Sequence, residues 1–283
     1  MESKVLNEYT IAIIQMDCYL LDVKKNVDKA ILKVREAAIA GAKLVCLPEA
    51  FNTGYYGADL HKVAEMAETL EENTIRTFMN LSKDLGIFIV APIFIKNEGI
   101  VTNSAILISD EGKVIGKYDK SHPIGVENRI ISKGKEYPVW NTKIGKIGFL
   151  ICYDVCFPET AKALSINDVD IIIVPSAWRG SRYYKEWWKI DLQARALDNL
   201  VYIAGINRVG KCGTESFAGT SLLCDYTGKI IGSLSEDKED ILYGTIQYDA
   251  MLSERKKNTV LDDWFIEDYS RIANEYQKEI NEL

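Results

Sequence analysis

The chain predicts an α/β layered fold built on mixed sheets. In its first half, short apolar runs of strand length alternate with stretches that repeat apolar residues every three to four positions. In its second half, several strand-like runs follow one another with turn signals between them. No internal repeat, low-complexity tract or Pro/Gly/Ser linker divides the 283 residues, so the chain reads as a single domain. With 47% hydrophobic residues, that length can bury one large core.

Residues 9–16 read as a buried strand. Residues 26–40 carry Val27, Ala30, Ile31, Val34, Ala37 and Ala38 at the spacing of an amphipathic helix, with Gly41 as a natural stop. Residues 43–47 form another short apolar strand. Residues 73–85 are helical with Ile75, Phe78, Met79 and Leu85 inward, and a strand over 87–94 follows. The runs 104–109 and 114–118 flank Asp110-Glu111-Gly112, a hairpin signal. Residues 147–151, 171–174 and 201–206 have buried-strand length and composition. Between the last two, 181–199 is helical, and Trp187, Ile190, Ala194 and Leu197 mark one of its faces. Residues 216–224, 229–234 and 241–247 are strand-like, with Tyr226-Thr227-Gly228 as a turn. The tail from Ala250 reads as helical and then irregular.

The net charge of −7 counts against a general nucleic-acid or anionic-membrane surface. Met1-Glu2-Ser3-Lys4 opens no apolar signal region and no apolar run approaches a membrane span, so a cytoplasmic protein is expected. The six cysteines are scattered, which favours reduced thiols over a disulfide framework. With two histidines only, His61 and His122, a zinc site is poorly supplied.

Polar residues at strand exits supply the candidate chemistry. Glu49 follows Leu44-Val45-Cys46-Leu47-Pro48, and Lys120 follows the run 114–119. Cys152 closes 147–151, Trp178 and Arg179 follow 171–176, and Asn207 follows 201–206. In open α/β sheets, ligands bind outside the carboxyl ends of the strands. Cys152 also stands before a predicted helix start at Phe157-Pro158-Glu159, where a helix dipole would favour its thiolate. Blander readings stand beside these. A strand-end Cys is commonly a packed thiol, Glu49 a cap, Lys120 part of a solvated basic stretch, and Trp178, Trp187 and Trp188 core aromatics. Arg195, spaced i,i+4 from Asp191 and Asn199, fits a structural network on a helix face.

Together these segments resemble the nitrilase superfamily of carbon–nitrogen hydrolases. Leu47-Pro48-Glu49 is similar to its first signature, Tyr118-Asp119-Lys120-Ser121-His122 to the segment bearing the catalytic Lys, and Ile151-Cys152-Tyr153-Asp154 with Phe157-Pro158-Glu159 to the nucleophile segment. Val174-Pro175-Ser176-Ala177-Trp178, Ala194-Arg195-Ala196-Leu197-Asp198-Asn199 and Gly205-Ile206-Asn207-Arg208-Val209-Gly210 extend the match. Glu127 falls where the family often places a second glutamate. The chain departs at Asp119, at Pro123, and at Cys156, which stands where Arg is common.

The resemblance implies a nitrilase-like αββα sandwich, two mixed sheets flanked by helices, formed by a single carbon–nitrogen hydrolase domain over 1–283. It implies a catalytic set of Glu49, Lys120, Cys152 and Glu127. The expected reaction is hydrolysis of a non-peptide C–N bond in a small amide or N-carbamoyl compound through a thioester, with no metal or organic cofactor. Nitrile hydrolysis, N-acyl transfer and a catalytically silent scaffold are the alternatives. Tyr55, Tyr153, Trp178 and Arg179 are the candidate substrate contacts, Arg179 either for a substrate carboxylate or as an ion-paired residue. The family commonly pairs its subunits, so a homodimer or higher homo-oligomer is expected, with the tail from about residue 250 a candidate for the interface. Trp264, Phe265 and Tyr269 in that tail suit a partner, or docking on the chain's own core.

Overall fold

The computed structural model describes residues 5–282, and two six-stranded mixed sheets lie face to face at its centre. The first half supplies β1 (Glu8–Gln15), α1 (Val23–Ile39), β2 (Leu44–Cys46), α2 (Leu60–Glu65), α3 (Asn73–Leu85), β3 (Phe88–Asn97), β4 (Ile100–Ile108) and β5 (Val114–Asp119). The second supplies β6 (Val139–Thr142), β7 (Gly145–Phe149), α4 (Pro158–Ile166), β8 (Ile171–Ser176), α5 (Arg182–Asn199), β9 (Tyr202–Asn207), β10 (Lys211–Cys212), β11 (Glu215–Ser216), β12 (Leu222–Cys224), β13 (Ile230–Ser233), β14 (Asp240–Gln247), α6 (Tyr248–Lys257) and α7 (Ile266–Glu282).

The sheets mirror each other. One runs β14-β1-β2-β3-β4-β5 and the other β13-β12-β9-β8-β7-β6. In each, three neighbouring strands are parallel (β1, β2, β3 and β7, β8, β9), with antiparallel strands flanking them. Parallel strands need crossovers, which explains why helices separate them in sequence. Along β1, Ile11 and Ile13 face the inter-sheet core, while Ala12 and Ile14 pack with Ala30, Val34 and Ala37 of α1 and with Ile75 and Phe78 of α3. The two-residue period of the strand thus serves two hydrophobic layers. On the far side, α4 and α5 cover the second sheet. The result is the αββα sandwich.

Local signals set the helix ends. Asp22 caps α1 by accepting from the Lys25 N–H at 3.1 Å. Gly86, in the left-handed region at φ 63°, ends α3, and Pro158 opens α4 at its first turn. Three expectations need correction. Helix α5 buries Trp188, Leu192 and Ala196, not the face of Trp187, Ile190, Ala194 and Leu197; Ile190 is 59% exposed. The stretch 216–224 keeps strand structure only at its ends, because it turns through Gly219 and Thr220, both at positive φ. The tail is not irregular beyond α6, since α7 is a long helix.

Candidate active site

Glu49, Lys120 and Cys152 leave strands in two different sheets, and the sandwich brings them together. Glu49 lies three residues beyond β2 and Lys120 directly after β5, both in the first sheet. Cys152 follows β7 in the second. Lys120 is 1% exposed, and its Nζ stands 3.0 Å from Glu49 Oε1 and 2.9 Å from Glu127 Oε2. Burial by itself would lower the ammonium's pKa. The carboxylates of Glu127 and Glu49 outweigh it and hold Lys120 well above the ordinary value, so it is a fixed cation.

Asn103, on β4, was not among the residues singled out by the sequence. Its amide donates to Glu49 Oε1 at 2.7 Å and to Glu127 Oε1 at 3.2 Å, one hydrogen for each carboxylate. Its signal was a lone amide within the run Ile100–Ile108, where it is fully buried. The Ile124 N–H holds Glu127 Oε2 at 2.8 Å, and the Ala177 N–H holds Glu49 Oε2 at 2.8 Å. Both glutamates are therefore locked in place before any substrate arrives. The Lys120 backbone is pinned in turn, its N–H donating to the Asn103 carbonyl and its carbonyl accepting from Gly134. Only glycine fits at 134, where a Cβ would stand 1.9 Å from the Asp119 carbonyl oxygen.

Cys152 sits at φ +50°, a strained conformation for a side-chain-bearing residue, at the sharp turn out of β7. The same turn places its sulfur by the Ala177 N–H that also serves Glu49. The dipole expectation fails here. Cys152 opens a short 3₁₀ turn, Cys152–Cys156, while α4 starts only at Pro158. Burial, reinforced by Glu49 and opposed by Lys120, pushes the thiol well above its ordinary pKa. Burial therefore favours the thiol over the thiolate at Cys152.

Asp154 ties this turn to the lysine segment. Its buried carboxylate accepts from the Ile151 N–H at 2.9 Å, the Tyr118 hydroxyl at 2.8 Å, the Ser121 hydroxyl at 2.9 Å and the His122 N–H at 2.8 Å. A charge with this many donors fixes the spacing between Cys152 and Lys120. Arg195 acts similarly from α5. It donates to the Val155 carbonyl at 3.1 Å, beyond the pairing with Asp191 and Asp198 on its own helix.

Above Cys152 lies a cavity of about 110 Å³ lined by Tyr55, Ile124, Tyr153, Cys156, Ala177, Trp178, Arg179, Tyr184 and Trp187. All four candidate substrate contacts line it. The Tyr55 ring centroid is 6.0 Å from Lys120 Nζ. Tyr153 stacks edge-on against Phe157, and Trp178 is fixed by its N–H to Asn207 Oδ1 at 2.8 Å. Arg179 is ion-paired with Glu215 at 2.8 Å. Cys156, Tyr184 and Trp187 are lining residues the sequence did not single out for that role. Among the described residues, no cluster of three or more His, Cys, Asp or Glu side chains is placed to hold a metal ion.

Comparison with known proteins places the chain in a family. The chain is 32% identical over 271 residues to a probable nitrilase of Schizosaccharomyces pombe, covering 93% of this chain and 98% of that one. It is 30% identical over 264 residues to the N-carbamoylputrescine amidase of Arabidopsis thaliana, covering 86% and 88%. Among solved structures, the amidase of Nesterenkonia sp. AN1, in a variant whose active-site cysteine has added acrylamide, superposes with a TM-score of 0.78 at 25% identity, covering 88% of this chain and 97% of that one. The model of the carbon-nitrogen hydrolase family matches residues 10–255, and the chain belongs to that family.

Proposed function

We propose that this hydrolase cleaves a non-peptide C–N bond in a small amide or N-carbamoyl compound, with Cys152 as nucleophile, Glu49 as general base and acid, and Lys120 in the oxyanion site. The observation that carries the reading is the buried Glu49–Lys120–Glu127 array beside the Cys152 sulfur at a strained turn. Glu49 takes the Cys152 proton as sulfur bonds to the carbonyl carbon. The Lys120 ammonium and the Tyr153 backbone N–H stabilise the tetrahedral oxyanion, donors of a kind worth about 3–4 kcal/mol each. As the C–N bond breaks, Glu49 returns the proton to departing ammonia or amine and leaves a thioester. Glu49 then takes a proton from water as it attacks the thioester, and returns it to the sulfur of Cys152. Glu127 holds Lys120 on the oxyanion side.

An activity screen of amides, N-carbamoyl compounds and nitriles, read by ammonia release with Cys152→Ala as control, tests the reaction. Mass spectrometry of a slow-substrate digest is expected to find the acyl group on Cys152. Full turnover by Cys152→Ala would falsify the mechanism. Nitrile hydrolysis uses the same nucleophile and is separated by the screen. N-acyl transfer is separated by adding amine acceptors and assaying the products. A silent scaffold is disfavoured by the joint presence of Glu49, Lys120 and Cys152 in one preorganised cluster.

We further propose a homodimer, supported by the apolar stripe Phe265, Tyr269, Ile272 and Tyr276 along the tail, whose members are all at least 36% exposed. A cytoplasmic location is supported by the six free thiols. The net charge of −7 supports a small-molecule substrate rather than nucleic acid or an anionic membrane as partner. Among the described residues, no helix is long and apolar enough to cross a membrane.

A further inference from the structure

We infer that the pocket selects substrates with an uncharged, apolar acyl chain, and that the Arg179–Glu215 pair at its rim is the device that rejects chains ending in a carboxylate. The inference rests on the reaction proposed above and specifies its substrate class.

The lining is aromatic and aliphatic over Tyr55, Ile124, Tyr153, Trp178 and Trp187, and among the described residues Arg179 is the cation it presents. That cation is already engaged, since Arg179 Nη2 donates to Glu215 Oε1 at 2.8 Å. The Glu215 side chain is 17% exposed, and its other oxygen is buried without a hydrogen-bond partner. Arg179, whose side chain is 55% exposed, keeps other N–H donors, but a substrate carboxylate that reached them would stand beside the Glu215 carboxylate, whose charge offsets the guanidinium and repels a second anion. The backbone holds the pair in register. Gly180 N–H donates to the Ser216 carbonyl at 2.8 Å and Ala218 N–H to the Trp178 carbonyl at 2.9 Å, so the segments bearing Arg179 and Glu215 lie side by side. Over them runs the loop carrying Tyr55. A Cβ on Gly57 in that loop would stand 3.2 Å from Glu215 Oε1 and 3.6 Å from Arg179 Nη2. Deeper in, two carboxylates face one ammonium at the Glu49–Lys120–Glu127 cluster, an excess of negative charge that repels an incoming carboxylate.

The test is a matched series of primary amides: hexanamide, 3-phenylpropanamide, the monoamide of glutaric acid and 6-aminohexanamide. Each is assayed for ammonia release with the wild-type enzyme, Glu215→Gln and Arg179→Ala, all checked for folding by thermal melting. The wild type is expected to prefer the neutral amides over the carboxylate-tailed one by at least about 100-fold in kcat/KM. Glu215→Gln, which frees Arg179, is expected to narrow that ratio at least about tenfold, mainly through KM. Arg179→Ala, which leaves Glu215 unpaired, is expected to raise the amine-tailed amide relative to the neutral ones at least about fivefold. If the wild type works best on the carboxylate-tailed or amine-tailed amide, or if neither substitution moves its ratio, the selectivity inference is wrong while the reaction stands. If no amide, carbamoyl compound or nitrile of any charge is turned over, the reaction itself is wrong and the selectivity falls with it.

Discussion

Asn103 shows how much one neutral side chain contributes to a charged site. Its two amide hydrogens go to the two carboxylates that flank Lys120, and no water-exposed surface is available to replace them. Asn103→Ala removes a buried donor from each of Glu49 and Glu127, and such charge-assisted bonds are worth about 1.5–3 kcal/mol. The expected outcome is a fall in kcat of about 10–100-fold with a smaller change in KM, measured by steady-state kinetics on a protein that still melts cooperatively. Cys152 makes the second residue-scale prediction. A raised thiol pKa means that the thiolate fraction falls at neutral pH and grows only as pH rises past the ordinary thiol range. Alkylation by iodoacetamide, followed by mass spectrometry at Cys152, is expected to be slow near pH 7 and still rising beyond about pH 9. A plateau below neutrality would instead reveal a preformed thiolate and remove the need for Glu49 as base.

Helix α5 carries apolar residues on two faces, and only packing chooses between them. Trp187, Ile190 and Leu197 satisfy helical periodicity as well as Trp188, Leu192 and Ala196 do, yet the latter set is buried against β9 and β12. The choice follows from neighbouring constraints. Arg195, on the buried side, must reach the Val155 carbonyl, and the Trp188 N–H reaches the Thr220 carbonyl at 3.0 Å. Trp188→Ala is expected to cost about 3–5 kcal/mol in urea unfolding, the usual loss for a fully buried aromatic. Trp187→Ala is expected to cost less than about 1 kcal/mol while altering KM, because Trp187 is 42% exposed and lines the pocket. Equal losses from the two substitutions would contradict the assignment of the buried face.

At the scale of the whole molecule, the sandwich protects its sheets and leaves helical apolar surface outside. Phe265, just before α7, and Ile272 and Tyr276 on it are 67%, 61% and 68% exposed, and the first turn of that helix is acidic. Burying this stripe against a second copy would remove the exposed apolar area without disturbing the Glu49–Lys120–Cys152 cluster. Multi-angle light scattering is expected to give about twice the 31.9 kDa chain mass, and Ile272→Asp with Tyr276→Asp is expected to halve it. A wild-type protein that runs as a monomer would sink the dimer proposal.

By itself the sequence determined the alternation of strands and helices, the exits occupied by Glu49, Lys120 and Cys152, and, through ordered motifs, the resemblance to carbon–nitrogen hydrolases. These are local properties: apolar periodicity, caps, and short segments whose spacing survives in the linear chain. The tertiary structure alone decided which face of α5 is buried, that Asn103 joins Glu49 to Glu127, that Asp154 couples the cysteine turn to the lysine segment, and that Glu215 neutralises Arg179. It also reversed the expected bias on Cys152, from a dipole-stabilised thiolate to a thiol kept protonated by burial. The physical reason is common to all of them. Burial and charge pairing depend on groups distant in sequence, such as Glu49 and Ala177, which become neighbours only when the two sheets close on each other.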